Sequence, residues 1–246
     1  MLKPDSLINL LVSLNPQQRT DALRSLSLDE TRTILTELDN TYKEDPWLWF
    51  KEEVYTQDEA TQKRLPWPDK DYLKDLVHLL RTERLLIFPK SRRMMVSWLM
   101  AAYSVWLARY HPHHAIFVQS ETEQKASYIT EKRCCFIEDN LREPFLRRKY
   151  RPIRTKQGTI GKISYEDTQS YIWAIPQGGS VIRTYTFSLL FMDESDFQDE
   201  GADALTAALS IAQVGGSNQI VLVSTSNGPT GICAEICRGA GFSRWT

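Results

Sequence analysis

The sequence predicts an α/β protein with a mostly parallel central sheet flanked by helices, plus a small N-terminal helical subdomain. Three observations lead there. From residue 84 onward, apolar runs of strand length alternate with segments of helical period, the order that builds parallel βαβ units. The first sixty or so residues instead carry repeated helix-start signals. Finally, 246 residues with 42% hydrophobic and 25% charged side chains have ordinary globular composition and length for one sizeable core and an accessory piece.

In chain order, Asn15 precedes Pro16, Ser27 and Glu30 form a capping box, and Asp45 precedes Pro46, so short helices are expected there. WPDKDYLKDLVHLL then places Tyr72, Leu73, Leu76, Val77 and Leu80 on one helical face. RLLIFP (84–89) reads as a buried strand, SWLMAAYSVWLARY (97–110) as a helix, AIFVQS (115–120) as a strand and 121–141 as one long helix. Residues 157–187, richer in Gly, Thr and alternating apolar residues, suggest a β-hairpin excursion. SLLFM (188–192) returns as a buried strand, followed by a helix around 202–213 and the strand QIVLVS (219–224). The expected division is a lid-like helical subdomain over 1–65 and a core over 66–246, and such sheets bind ligands at the carboxyl ends of their strands.

Composition excludes several classes. Lys+Arg total 30 and Asp+Glu 31, a net charge of -1, so nucleic-acid contact has to come from a local patch and not from global attraction. No apolar run has the length of a membrane span and no secretory signal opens the chain, which points to the cytoplasm. Cys134, Cys135, Cys233 and Cys237 lack zinc-site spacing and read as buried thiols. His111, His113 and His114 around Pro112 read as a solvent-exposed turn.

Three strand ends carry unusual polar residues. After RLLIFP comes Lys90, Ser91, Arg92, Arg93, Met94, Met95, Val96 and then Ser97 at a helix start. A strand, a tight cationic loop and a helix N-terminus make an anion cradle suited to polyphosphate. The GxxxxGK[ST] pattern is nevertheless broken, with no glycine in the loop and Val96 where the lysine normally sits. After SLLFM come Asp193 and Glu194. A carboxylate there can hold Mg²⁺ and its neighbour can polarise the water that attacks a γ-phosphate, although such pairs also cap helices. After QIVLVS come Thr225, Ser226, Asn227 and Gly228, a polar tip suited to sensing the γ-phosphate or an ordinary turn. Together, in this order, the three strand ends match a P-loop ATPase of the ASCE type, whose glutamate lies on the Walker B strand.

Here the chain resembles the large terminase family of tailed viruses over essentially its whole length. KSRRMMVSW is similar to that family's deviant nucleotide loop, IWAIPQGGSVIRTYTFSLLFMDESDF (172–197) to its run into the Walker B strand, VSTSNG (223–228) to its coupling motif and SETEQKA (120–126) to the turn after its second strand. The resemblance implies Lys90 as displaced phosphate lysine, Ser97 and Asp193 as Mg²⁺ ligands and Glu194 as catalytic base. Arg92 falls where some members use an arginine of their own chain. Arg183, ten residues before Asp193 in a segment expected at the sheet edge, falls where others place one reaching a neighbouring subunit. Ser224, Thr225 and Asn227 take the coupling role. No Gln-containing adenine motif is visible in 66–80.

The implied activity is Mg²⁺-dependent ATP hydrolysis that translocates double-stranded DNA into a procapsid in the host cell cytoplasm. Its implied partners are a portal protein, a small terminase subunit and further copies of the chain in a ring. The family's nuclease is expected to be absent. LREPFLRRKYRPIRTK (141–156) offers Arg147, Arg148, Lys149, Arg151 and Arg154, with Arg142 and Lys156, as a DNA-backbone patch or a solvated basic face. The rivals are a DExx helicase-like translocase, which needs a second motor domain, and a non-catalytic module docking on a portal or another terminase subunit.

Overall fold

The computed structural model describes residues 11, 14, 16–157, 160–228, 231–239 and 243–244. Asn15 lies outside the described residues. Helices α1 (Pro16–Arg24), α2 (Leu28–Glu44) and α3 (Pro46–Glu53) open the chain. Ser27 and Glu30 close their capping box, with the Ser27 N–H donating to Glu30 Oε2 at 3.0 Å. Asp45 caps α3 by accepting from the Leu48 N–H. A short hairpin, β1 (Tyr55–Gln57) with β2 (Arg64–Pro66), leads into α4 (Asp71–Thr82), whose buried face is Leu73, Leu76, Val77 and Leu80. Trp49, Phe50, Val54 and Trp67 belong to the same buried cluster as Leu86 and Phe88 of the sheet, so the N-terminal helices share the main core.

The centre is an eight-stranded sheet. Its order is β10 (Ser243–Arg244), β3 (Leu85–Pro89), β9 (Gln219–Ser224), β8 (Leu189–Asp193), β4 (Ala115–Gln119), β7 (Ser170–Ala174), β6 (Ile160–Tyr165) and β5 (Ile153–Gln157). Every pairing from β10 to β7 is parallel, and β6 and β5 add an antiparallel edge. The hairpin expected over 157–187 therefore starts earlier and extends the central sheet, because β7 covers the otherwise unpaired edge of β4.

Strand pleating sorts the apolar runs onto two faces. Leu86, Phe88, Ile116, Val118, Leu189, Phe191, Val221 and Val223 enter one core, while Ile87, Phe117, Leu190, Met192, Ile220 and Leu222 enter the other. The first core holds α5 (Val96–Tyr110), in which every residue except Ser97 is buried, as an all-round apolar helix requires. The second is covered by α9 (Ser180–Thr184), α10 (Gly201–Gly215) and α11 (Ile232–Arg238). The single helix expected over 121–141 is α6 (Glu123–Tyr128), a π-helical stretch (Ile129–Cys134) and α7 (Cys135–Asn140), followed by α8 (Pro144–Lys149). A π turn holds an extra residue and re-phases the side chains beyond it.

Cys134 and Cys233 are buried, and Cys135 and Cys237 are half-buried. His111 departs from the expected exposed turn: its ring packs 4.6 Å from Trp106, and burial pushes its pKa down to about 4. No described helix is long and apolar enough to cross a membrane.

Candidate active site

Register builds the site. β3 pairs with β9 so that Pro89 faces Ser224, and β8 pairs with β9 so that Asp193 faces Val223. The next residues, Lys90, Glu194 and Thr225, therefore emerge side by side at the carboxyl edge of the sheet. The Lys90 N–H continues the ladder to the Ser224 carbonyl at 2.9 Å. Its Nζ donates to Glu194 Oε1 at 2.9 Å. The other carboxylate oxygen of Glu194 accepts from the N–H and hydroxyl of Thr225, both at 3.1 Å, and from Ser224 Oγ at 3.5 Å. Asn227 grips Asp196 instead, through its N–H to Oδ2 and its Nδ2 to the backbone carbonyl. Asp196 also accepts from the Cys233 N–H at 2.6 Å, which ties the strand-end loops to α11.

The loop from Lys90 to Met95 reaches α5 without glycine by placing Arg93 at φ 65° and Met95 at φ 58°. Glu194 takes φ 48°. Each conformation costs a non-glycine residue about 1–3 kcal/mol and persists only where surroundings over-determine it. Ser91, Arg92 and Arg93 are exposed, while Val96 is buried, so Val96 has no phosphate-facing role. Ser97 stands in the first turn of α5 and its hydroxyl donates to Asp193, 3.2 Å from Oδ1 and 3.4 Å from Oδ2.

A hydroxyl beside a carboxylate, both hard oxygen donors at a helix N-terminus, is a donor set that fits Mg²⁺. Burial pushes the Asp193 carboxyl above its ordinary value, against the opposing pull of Lys90. Burial also pushes Glu194 up, but the hydrogen bonds from Lys90 and the Thr225 N–H outweigh it and leave that carboxyl below its ordinary value. Glu194 is thus a held carboxylate and Asp193 a buried one that a cation would relieve.

A cavity of about 560 Å³ opens over the loop. Lys90, Arg93 and Ser97 line its floor, Gln57, Glu59 and Leu65 of the β1–β2 hairpin form one wall, and Arg133 with Trp98 forms another. Sequence reasoning missed Gln57, Arg133 and Asp196. For Asp196 the signal was its position two residues after Glu194, whereas the first two reach the cavity only through tertiary packing.

Arg183 is not at the sheet edge, because Ile182 anchors α9 in the second core. Its guanidinium forms a two-pronged pair with Asp203 of α10, and both side chains are exposed. The basic stretch is partly neutralised. Lys149 pairs with Asp39 at 2.6 Å and Arg154 grips Asp139 at 2.7 and 3.0 Å, whereas Arg147, Arg148 and Arg151 face solvent. The side chain of Lys156 lies outside the described residues. Ile153 pairs with Ser164, which pairs with Tyr171 near the start of β7, so Arg151 lies at the amino edge of the parallel strands, opposite Lys90 and Glu194.

No protein-family model and no curated protein matches this chain. Solved structures do. The HK97 bacteriophage large terminase superimposes with a TM-score of 0.60 at 13% identity, over 77% of this chain and 39% of that one. A variant of the Thermus phage P74-26 large terminase ATPase domain gives 0.51 at 12% identity, over 68% and 69% of the two chains. The chain thus spans well under half the length of the HK97 protein. Its mostly parallel sheet and flanking helices have the fold of large terminase ATPase domains.

Proposed function

We propose that this chain is the ATPase motor domain of a viral large terminase, which hydrolyses ATP to drive double-stranded DNA into a procapsid. The observation that carries this reading is the juxtaposition, at one sheet edge, of the Lys90–Glu194 and Ser97–Asp193 pairs, with Lys90 and Ser97 lining the cavity. Lys90 and the free N–H groups of α5 bind phosphate, with Arg92 and Arg93 on the same loop. Ser97 and Asp193 would hold Mg²⁺, which would supply neutralisation of the polyphosphate's negative charge. Glu194 orients a water and accepts its proton at Oε. Ser224 and Thr225, hydrogen-bonded to Glu194, and Asn227, bonded to Asp196, transmit the state of the γ-phosphate to α11.

The same reading gives the chain a portal protein, a small terminase subunit and further copies of itself in a ring as partners, in the host cytoplasm. The test is phosphate release from ATP with and without Mg²⁺ and duplex DNA. Mg²⁺-dependent turnover that duplex DNA stimulates is expected. Nucleotide binding without turnover, under conditions where rings form, would favour a docking module instead.

A further inference from the structure

Arg133 stands in the π-helical stretch, on the side wall of the same cavity. Its guanidinium lies over two rings, 5.7 Å from the Trp98 centroid and 5.6 Å from that of Tyr128. Its side chain is 16% exposed. A guanidinium offers five N–H donors, yet the Nε of Arg133 is buried without a hydrogen-bond partner, and Nη2 reaches Glu59 at 3.3 Å. Glu59, on the turn of the β1–β2 hairpin, is itself 70% exposed. The pair spans the cavity from the hairpin to the helix that follows β4. Arg133 is also among the cations that draw the Asp193 carboxyl down, so its field reaches the floor of the site.

Aromatic faces hold this cation without saturating its donors, and the largely solvated carboxylate of Glu59 competes for it. We propose that Arg133 is a phosphate-binding residue for the nucleoside di- or triphosphate, held by Glu59 in the free protein and exchanged onto the polyphosphate when nucleotide enters. The proposal rests on reading the cavity as the nucleotide site. It assigns the helix after β4 a direct part in binding, and it makes hairpin opening at Glu59 a consequence of nucleotide entry. The π turn is what re-phases the helix in this stretch.

The exchange predicts opposite signs for its two partners. ADP affinity is measured by calorimetry across a salt series for the whole chain, and folding is checked by thermal unfolding without nucleotide. Arg133→Gln should weaken ADP binding about tenfold or more, as loss of a charge-assisted contact does, and reduce its salt dependence. Arg133→Lys should fall between. Glu59→Gln should tighten ADP binding about two- to fivefold, because a largely solvated competitor is removed. If the parent binds no ADP, the reading of the cavity falls and the proposal with it. If the parent binds ADP but Arg133→Gln binds within twofold, or with an unchanged salt slope, the proposal alone falls. Should Arg133→Gln not fold, Glu59→Gln decides: unchanged or weaker binding overturns the exchange, because a purely structural bridge would loosen the cavity from either side.

Discussion

Lys90 and Glu194 neutralise each other across a 2.9 Å hydrogen bond, so under the proposed function a bound phosphate would have to draw the ammonium away from the carboxylate. That exchange has a chemical consequence. Lys90 is one of the groups that lower the proton affinity of Glu194, so in the proposed mechanism moving it onto phosphate would make the carboxylate a stronger base toward water. Glu194→Gln should therefore retain nucleotide binding while phosphate release falls by about 10²–10⁴. Hydrolysis equal to that of the parent would remove Glu194 from the mechanism. Lys90→Ala should weaken ATP binding about tenfold or more in a titration, and unchanged affinity would shift the phosphate role to Arg92 or Arg93. Lys90, Ser97, Asp193, Glu194 and Thr225 were legible in the sequence because each follows an uninterrupted apolar run or opens the helix after it, and polar groups at such boundaries need a reason. Gln57 and Arg133 had no such boundary to mark them. Their place is set by a hairpin and a π turn that hydrophobic period does not encode.

Glu53, the last residue of α3, shows what the N-terminal elements cost to anchor. Fully buried, it accepts from Tyr42 Oη at 3.0 Å and the Glu143 N–H at 2.7 Å, with Arg19 at 3.9 Å and Glu52 beyond it. Burial pushes its carboxyl up to about 7, and the two hydrogen bonds and Arg19 only partly restrain that rise. Because the folded value lies above the unfolded one, near 4.3, the folded state favours the protonated form. Stability contributed by this group is complete below about pH 4 and is lost as pH rises through about 7, with a magnitude on the order of 3 kcal/mol. Denaturant unfolding from pH 5 to 8 should show that decline, and Glu53→Gln should flatten it. An unchanged slope in the variant would assign the dependence to other groups. The caps of α2 and α3 and the strands that flank the site were legible because capping boxes and apolar runs are local signals. The β5–β6 edge was misplaced because its register depends on the exposed flank of β4, a long-range pairing that no window of sequence contains.

Across the whole molecule, the exposed Arg151, shortly after the exposed Arg147 and Arg148 in the chain, and the cavity over the Lys90 loop lie at opposite edges of the sheet, so under the proposed function duplex DNA and ATP would meet different ends of the same strands. If those three arginines contact phosphates, replacing all three with Gln should reduce the slope of log affinity against log salt by about 2–3, since each contact contributes about 0.9. An unchanged slope would make the face merely solvated. Arg183 poses the remaining question of scale. Its pair with Asp203 is exposed on both sides and too well solvated to hold the fold together, so Arg183→Ala should fold and bind ATP as the parent does. Nor does the Asp203 pairing connect it to the Lys90 and Glu194 cluster of its own chain. In the proposed ring it would reach from the exposed α9–α10 surface to a neighbouring subunit, where a guanidinium near a γ-phosphate can raise the rate by roughly 10³ or more. Hydrolysis by Arg183→Ala should then be poor even when rings form on DNA. Mixing it with Glu194→Gln separates the two readings: in a mixed ring the first variant supplies an intact base and the second an intact guanidinium, so part of the activity should return. If mixed rings are shown to form and nothing returns, the action between subunits fails, and Arg92, on the loop of the same cavity, becomes the arginine to replace.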